Sequence, residues 1–289
     1  MPGDGACGML RPMLKIIVRA IIALPLLTIS VAAPSRGMAA ERFITLASTT
    51  STVASGLYDR ILPIFSKSTG IAVHVIAVGT GQALRLSRNG DADGLLVHHP
   101  PSEEAFIKAG FGVDRRLVMY NQFLIAGPKH DPANAAGAGD VSEALRRIAA
   151  NGAPFISRTD DSGTHKKELG LWRTAKVDPK PGSGIWYMET GSGMGATLRM
   201  ATATNGYTLT DRGTWLSYHD RGGMAPIFDK ADPGLRNQYS VIMVNPSRHP
   251  HVKAADFRIF MAWLTAPAGQ AAIAAVTVGG KKLFTPNAE

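Results

Sequence analysis

Four short segments of this chain combine hydroxyl side chains, glycines and one arginine in a pattern suited to holding an anion. They are Ser48-Thr-Thr-Ser-Thr52, Gly79-Thr80-Gly81, Ser157-Arg158-Thr-Asp-Asp-Ser162-Gly163-Thr164 and Gly191-Ser-Gly193-Met-Gly195. Each precedes a stretch that reads as helix, so each sets hydroxyls or unhindered backbone N–H groups at the positive end of a helix dipole. Glycine lets the backbone approach an oxygen closely, and Arg158 adds a charge-assisted, bidentate contact. One such loop alone is an ordinary helix cap. Four together, with an arginine inside one of them, point to an oxyanion.

Other chemistries fit less well. Gly191-x-Gly193-x-x-Ala196 has the spacing of a dinucleotide fingerprint, with Asp211 twenty residues beyond its first glycine. A secreted nucleotide-dependent oxidoreductase is therefore the alternative of another class. Against it, Asp211 is expected to open the hydroxyl-rich turn Thr210–Thr214 rather than to close a strand. Ser162 lacks the G-x-S-x-G frame of a nucleophile, and Gly279-Gly-Lys-Lys282 lacks the rest of a phosphate loop. His249-Pro-His251 reads as a surface turn rather than a metal site. The expectation is a binding protein, not an enzyme, with no catalytic residue, no cofactor and no metal cation.

Those loops need a scaffold. Glu41–Ala47, the β-branched run Ile71–Val78, Leu95–Val97, Val118–Ala126, Pro154–Ile156 and Tyr239–Asn245 read as strands. Ile71–Val78 has the continuous apolar character of a strand buried on both faces. Helical segments fall after Leu57, over Gln82–Arg88, Val141–Ala150, His165–Thr174, Ala196–Thr204, Phe257–Leu264 and Gly269–Ala275. The Phe257, Phe260, Met261, Leu264 stripe is core packing at helical spacing. Alternating strands and helices give an α/β fold with parallel sheet, in which ligands bind beyond the carboxyl ends of the strands.

The 289 residues carry 31 Lys+Arg against 22 Asp+Glu, and 45% are hydrophobic, which excludes a disordered chain. Basic residues Arg11, Lys15 and Arg19, the apolar run Ala20–Ala33 and the small residues Gly37–Ala40 have the order of a secretory signal peptide, cleaved near Ala39 or Ala40. Its loss removes three of the nine net positive units and the one cysteine, Cys7, excluding a disulfide framework or a cysteine metal site. The remaining charge shows no basic cluster with interleaved aromatics, so nucleic acid is not an expected partner.

The arginine segment resembles the Arg-x-x-x-Ser-Gly-Thr loop of periplasmic phosphate-binding proteins. The wider set is similar to a narrower family, the tungstate-binding component of tungstate ABC transporters. The segments that carry it include Ser48–Thr52, Ile76–Ala83, Asn89–Asp93, Met119–Asn121, Ser157–Glu168, Glu189–Thr197, Tyr207–Thr214 and Leu283–Pro286. The resemblance implies a two-lobed periplasmic-binding-protein fold of type II, with mixed sheets flanked by helices and the ligand in the cleft between lobes. Lobe one would comprise 41–124 and 240–289, and lobe two 125–239. The matching oxyanion positions are Thr49, Thr50, Ser51, Thr80, Arg158, Ser162, Gly163 and Thr164, with Arg212 and the Met194-Gly195-Ala196 turn as weaker candidates. The ligand would be tungstate or molybdate, with sulfate or phosphate as alternatives. The partner would be a membrane permease, and the protein a periplasmic monomer. Gly94-Leu-Leu-Val-His98-His99 departs from the pattern by its Gly94 and its second histidine. Phosphate binders place a carboxylate in the cleft; here the strand end holds His98 or His99, with no acid until Glu103, which suits an oxyanion without a proton.

Overall fold

The computed structural model describes residues 41–288. The expected signal peptide, its cleavage point and Cys7 lie outside the described residues. From Phe43 the order is β1 (Phe43–Thr49), α1 (Thr50–Ala54), α2 (Leu57–Thr69), β2 (Ala72–Val78), α3 (Thr80–Asn89), β3 (Gly94–Val97) and α4 (Pro100–Lys108). β1 pairs in parallel with β2 on one side and β3 on the other. The helices between them make the crossovers that parallel pairing requires. β2 corrects the reading of Ile71–Val78 as doubly buried: it is the edge strand, and most of its residues are only half-covered. Its partner β1, paired on both sides, holds Ile44, Leu46 and Ala47 fully buried.

β4 (Gly112–Pro128) is 17 residues long, nearly twice the stretch legible from composition. The middle of the chain then supplies α5 (Val141–Asn151), β5 (Phe155–Ser157), α6 (Gly163–Thr174), β6 (Tyr187–Glu189), α7 (Met194–Thr204), β7 (Thr208–Asp211), α8 (Arg212–Ser217) and β8 (Met224–Phe228). The chain returns through β9 (Arg236–Val244), α9 (Ala254–Thr265), α10 (Pro267–Ala274), β10 (Thr277–Val278), β11 (Lys281–Lys282) and β12 (Thr285–Pro286). β9 is antiparallel to both β3 and β4, so the sheet is mixed rather than wholly parallel. The far end of β4 turns to new partners, pairing with β7 and β8 from Phe123 onward.

Burial divides along the same line. One pair of core clusters draws on residues from Ile44 to Met119 and from Tyr239 to Phe284, and includes Phe257, Phe260, Met261 and Leu264 at full burial. The other pair draws only on residues from Phe123 to Leu235. The two cores change over between Met119 and Phe123 on β4, and between Leu235, just before β9, and Tyr239 on it. At that level Asn121 and Asn237 face each other across the ladder.

Candidate functional site

Each predicted loop sits at a strand end that runs into a helix. β1 stops at Thr49, whose hydroxyl accepts the Thr52 N–H at 3.3 Å and so caps α1. Gly79 begins α3 in an extended conformation and offers no side-chain cap. Ser162 caps α6 by accepting the His165 N–H at 3.2 Å. Gly193 opens α7, again without a side-chain cap.

The structure brings these ends together. A Cβ on Gly163 would lie 2.7 Å from His98 Cε1 and 2.9 Å from Thr80 Oγ1, so only glycine fits where α6 meets α3 and the end of β3. Gly79 backs onto the Asp160 carbonyl and Ser162. A cavity of about 540 Å³ is lined by Thr50, Ser51, Arg158, the Gly193–Ala196 turn, Arg199, Thr214 and Tyr218. The turn is tied to the arginine loop by Ser192 N–H to Arg158 O at 3.1 Å and Thr190 N–H to Ser157 O at 3.0 Å. A second, larger cavity of about 780 Å³ lies against His98, Lys166, Lys167, Arg236 and Asn237, and none of the eight predicted positions lines it.

Polar bookkeeping separates structural from available groups. Among the described residues, the buried side-chain polar atoms with no hydrogen-bond partner include Thr80 Oγ1, Arg158 Nε, Thr164 Oγ1 and Tyr218 OH. Arg158 is 3% exposed and Thr80 0%. An unsatisfied buried donor costs roughly 1–3 kcal/mol; Arg158 and Tyr218 line the smaller cavity, whereas Thr80, Ser162, Gly163 and Thr164 do not. By contrast the Thr49 hydroxyl is spent on Ser51 (3.1 Å) and Thr52 (2.7 Å), and it does not line the cavity. Arg212 is not brought in; it pairs with Asp229 and reaches Gln122 at 3.4 Å.

Three sequence expectations change. A carboxylate does stand beside the arginine: Asp160 takes Arg158 Nη2 at 2.5 Å. It was overlooked because it belongs to the arginine loop itself, two residues on, rather than to a strand end. Burial pushes Asp160 up, but its bonds from Ser162 and the Arg158 charge outweigh this and hold it below the usual carboxylate value. Of the two histidines, His98 faces inward and His99 faces away, where it caps α4 and bonds Ser102 at 2.7 Å. Burial, opposed by the Asn237 bond and helped by the Arg158 charge, pulls His98 down to about 4, leaving it neutral at pH 7. Finally, Asp211 does close a strand, β7, yet its carboxylate is occupied by Thr214 N–H and Oγ1 at 3.0 and 2.5 Å. A ribose would find no free acceptor there. Tyr218, Thr214 and Arg199 were missed, since nothing in their local spacing marks them.

A two-core α/β chain with its donors gathered at strand ends between the cores defines a solute-binding protein of the periplasmic type. The family model of the PBP superfamily domain matches residues 34–268. The chain is 45% identical over 253 residues to the tungstate-binding protein TupA of Peptoclostridium acidaminophilum, covering 86% of this chain and 87% of that one. Among solved structures, the tungstate-binding protein TupA from Desulfovibrio alaskensis G20 superposes with a TM-score of 0.76 at 46% identity, over 86% of this chain and all of that one. The tungstate ABC transporter structure from Geobacter sulfurreducens gives 0.74 at 46% identity, over 81% and 99%. The chain belongs to the PBP superfamily and, within it, to the family of these tungstate-binding proteins.

Proposed function

We propose that this protein is an extracytoplasmic solute-binding protein that captures a tetrahedral oxyanion, tungstate foremost, and hands it to the permease of an ABC transporter. The observation that carries this reading is the group of buried donors without partners, Arg158 Nε, Thr80 Oγ1 and Thr164 Oγ1, at the meeting of three loops. An oxyanion can accept from all three, and the Arg158 Nε–H, the part of the guanidinium not spent on Asp160, makes its bond charge-assisted. Thr50 and Ser51 line the cavity beside Arg158, Ser162 and Gly163 belong to the loop that carries the arginine, and Tyr218 OH adds a donor from the second core. Nanomolar capture needs about 12 kcal/mol, which about seven charge-assisted hydrogen bonds at roughly 1.5–3 kcal/mol each supply after ordering costs. The reading is of a binding protein that performs no reaction.

The division into lobes at 41–124 with 240–289, and 125–239, belongs to the same proposal. So do cleavage near Ala39 or Ala40, export to the periplasm and a monomeric state. The test is competitive calorimetry on the chain starting at Glu41, with tungstate, molybdate, sulfate and phosphate. Tungstate is expected to displace the others. Tight phosphate binding, or no oxyanion binding, would overturn the reading.

A further inference from the structure

A run of buried polar side chains leaves the first loop and crosses both strands that join the cores. Its far end is the Asp211 carboxylate, which can only accept. Asn121 Nδ2 donates to it over 3.5 Å, the longest link. Asn121 therefore turns its Oδ1 the other way, where it accepts from Asn237 Nδ2 at 2.7 Å. That same nitrogen also reaches the Tyr239 hydroxyl at 3.2 Å, so Asn237 has only its Oδ1 left for the histidine. His98 Nδ1 lies 3.0 Å from that oxygen and must be the protonated nitrogen. The neutral ring then carries its lone pair on Nε2, 3.3 Å from Ser51 Oγ, and Ser51 donates to it. Reversing any amide would set two acceptors face to face. All six residues are buried, none more than 9% exposed, and the His98 ring stacks on Tyr239 with centroids 4.8 Å apart.

We propose that His98 is a positioning residue of the anion cleft: Asn237 holds it as the Nδ1–H tautomer, so that Nε2 receives the Ser51 hydroxyl and ties the first loop to the strands between the cores. His98 is also the partition between the two cavities, lining the larger one while its bonded partner Ser51 lines the smaller. Ser51 then builds the wall with its hydroxyl hydrogen turned away from the ligand. Donation falls to Arg158 Nε, Thr80 Oγ1 and Thr164 Oγ1, the atoms with no other partner. This is also why His98 tolerates a site next to a guanidinium: held as an acceptor toward Ser51 and neutral by burial, it adds no charge to the wall.

The inference rests on the cleft being the anion site, and its test separates the two. Nitrogen-15 NMR of the histidines, with His98→Gln to assign the ring, reads the tautomer directly. The Nδ1–H form is expected in wild type with and without tungstate, and Asn237→Ala should lose it. In calorimetry His98→Ala should bind tungstate about tenfold or more weakly. Asn237→Ala should weaken binding in the same direction, and the double variant no further than His98→Ala, because Asn237 acts through the ring. His98→Gln, whose amide oxygen can still accept from Ser51, should recover part of the loss. An Nε2–H tautomer in a wild type that binds tungstate would overturn this inference alone, as would Asn237→Ala binding normally. A wild type that binds no tungstate would overturn the functional reading and this inference with it. The tautomer is read in the wild-type protein, and His98→Gln is the one variant that reading needs, for assignment.

Discussion

In the Ser48–Thr52 wall of the cleft every buried hydroxyl has a partner, whereas the facing Ser157–Thr164 loop leaves Arg158 Nε and Thr164 Oγ1 with none. The first wall is also conformationally relaxed. The second holds Thr159 and Asp161 at φ of 50° and 57°, where non-glycine residues cost about 1 kcal/mol or more each. One wall is finished without a ligand and acts as a rigid backstop. The other stores strain and unmet donors that an anion can settle, and it holds the buried charge.

The largest break in that contrast is Arg158→Ala. Tungstate affinity should fall by more than a hundredfold in calorimetry, about 3 kcal/mol or more, since the anion would lie buried without its countercharge. Next come Thr164→Val and, from the loop beside it, Thr80→Val. Each should weaken binding about tenfold yet raise the melting temperature of the free protein by a few degrees, because a buried hydroxyl without a partner is removed. Thr52→Val in the finished wall should do the reverse, lowering the melting temperature through the lost bond to Thr49. If both walls respond alike, the contrast is wrong.

The smallest effect concerns one buried acid from each core. Glu103, beside β9, is pushed up to about 7 by burial against the pull of Arg115. Glu168, on α6, is pushed up to about 7 by burial, against the bonds it receives from Tyr187, Ser157 and Trp172. Between the ordinary value of 4.5 and about 7, the unfolded chain releases protons that the native carboxyls keep, so each acid makes stability fall as pH rises. Glu168→Gln should remove about half of that combined fall, read from denaturant unfolding at a series of pH values. An unchanged slope would show that the second core does not bury a protonated acid.

The sequence made some of this readable and hid the rest for definite reasons. The strand–loop–helix units around Thr49, Thr80, Ser162 and Gly193 were legible because hydroxyls and glycines at a strand end have few other uses. α9 was legible from the spacing of Phe257, Phe260, Met261 and Leu264. The full length of β4 was not, because alternate partners at its two ends split one strand between two burial patterns. The mixed sheet was implied by resemblance alone, since nothing in β9 itself marks it as antiparallel. His98 became interpretable only through Asn121, Asn237 and Asp211, which are separated by up to 116 positions along the chain yet are neighbours in space. Tyr218 sits at the end of a helix too short to announce itself.

The double passage of the chain between the cores has a kinetic consequence. The second core is closed within Phe123–Leu235, so its contacts are available as soon as that stretch exists. The first must join Ile44 and Leu46 to Phe257, Phe260 and Phe284, and closing so long a loop is slow. The second core should therefore condense first, with the chain's two ends assembling around it. Until the last fifty or so residues arrive, Ile44, Leu46 and Ile61 pack only against neighbours such as Phe65, Leu96 and Met119 and lack the wall of Phe257, Phe260 and Phe284.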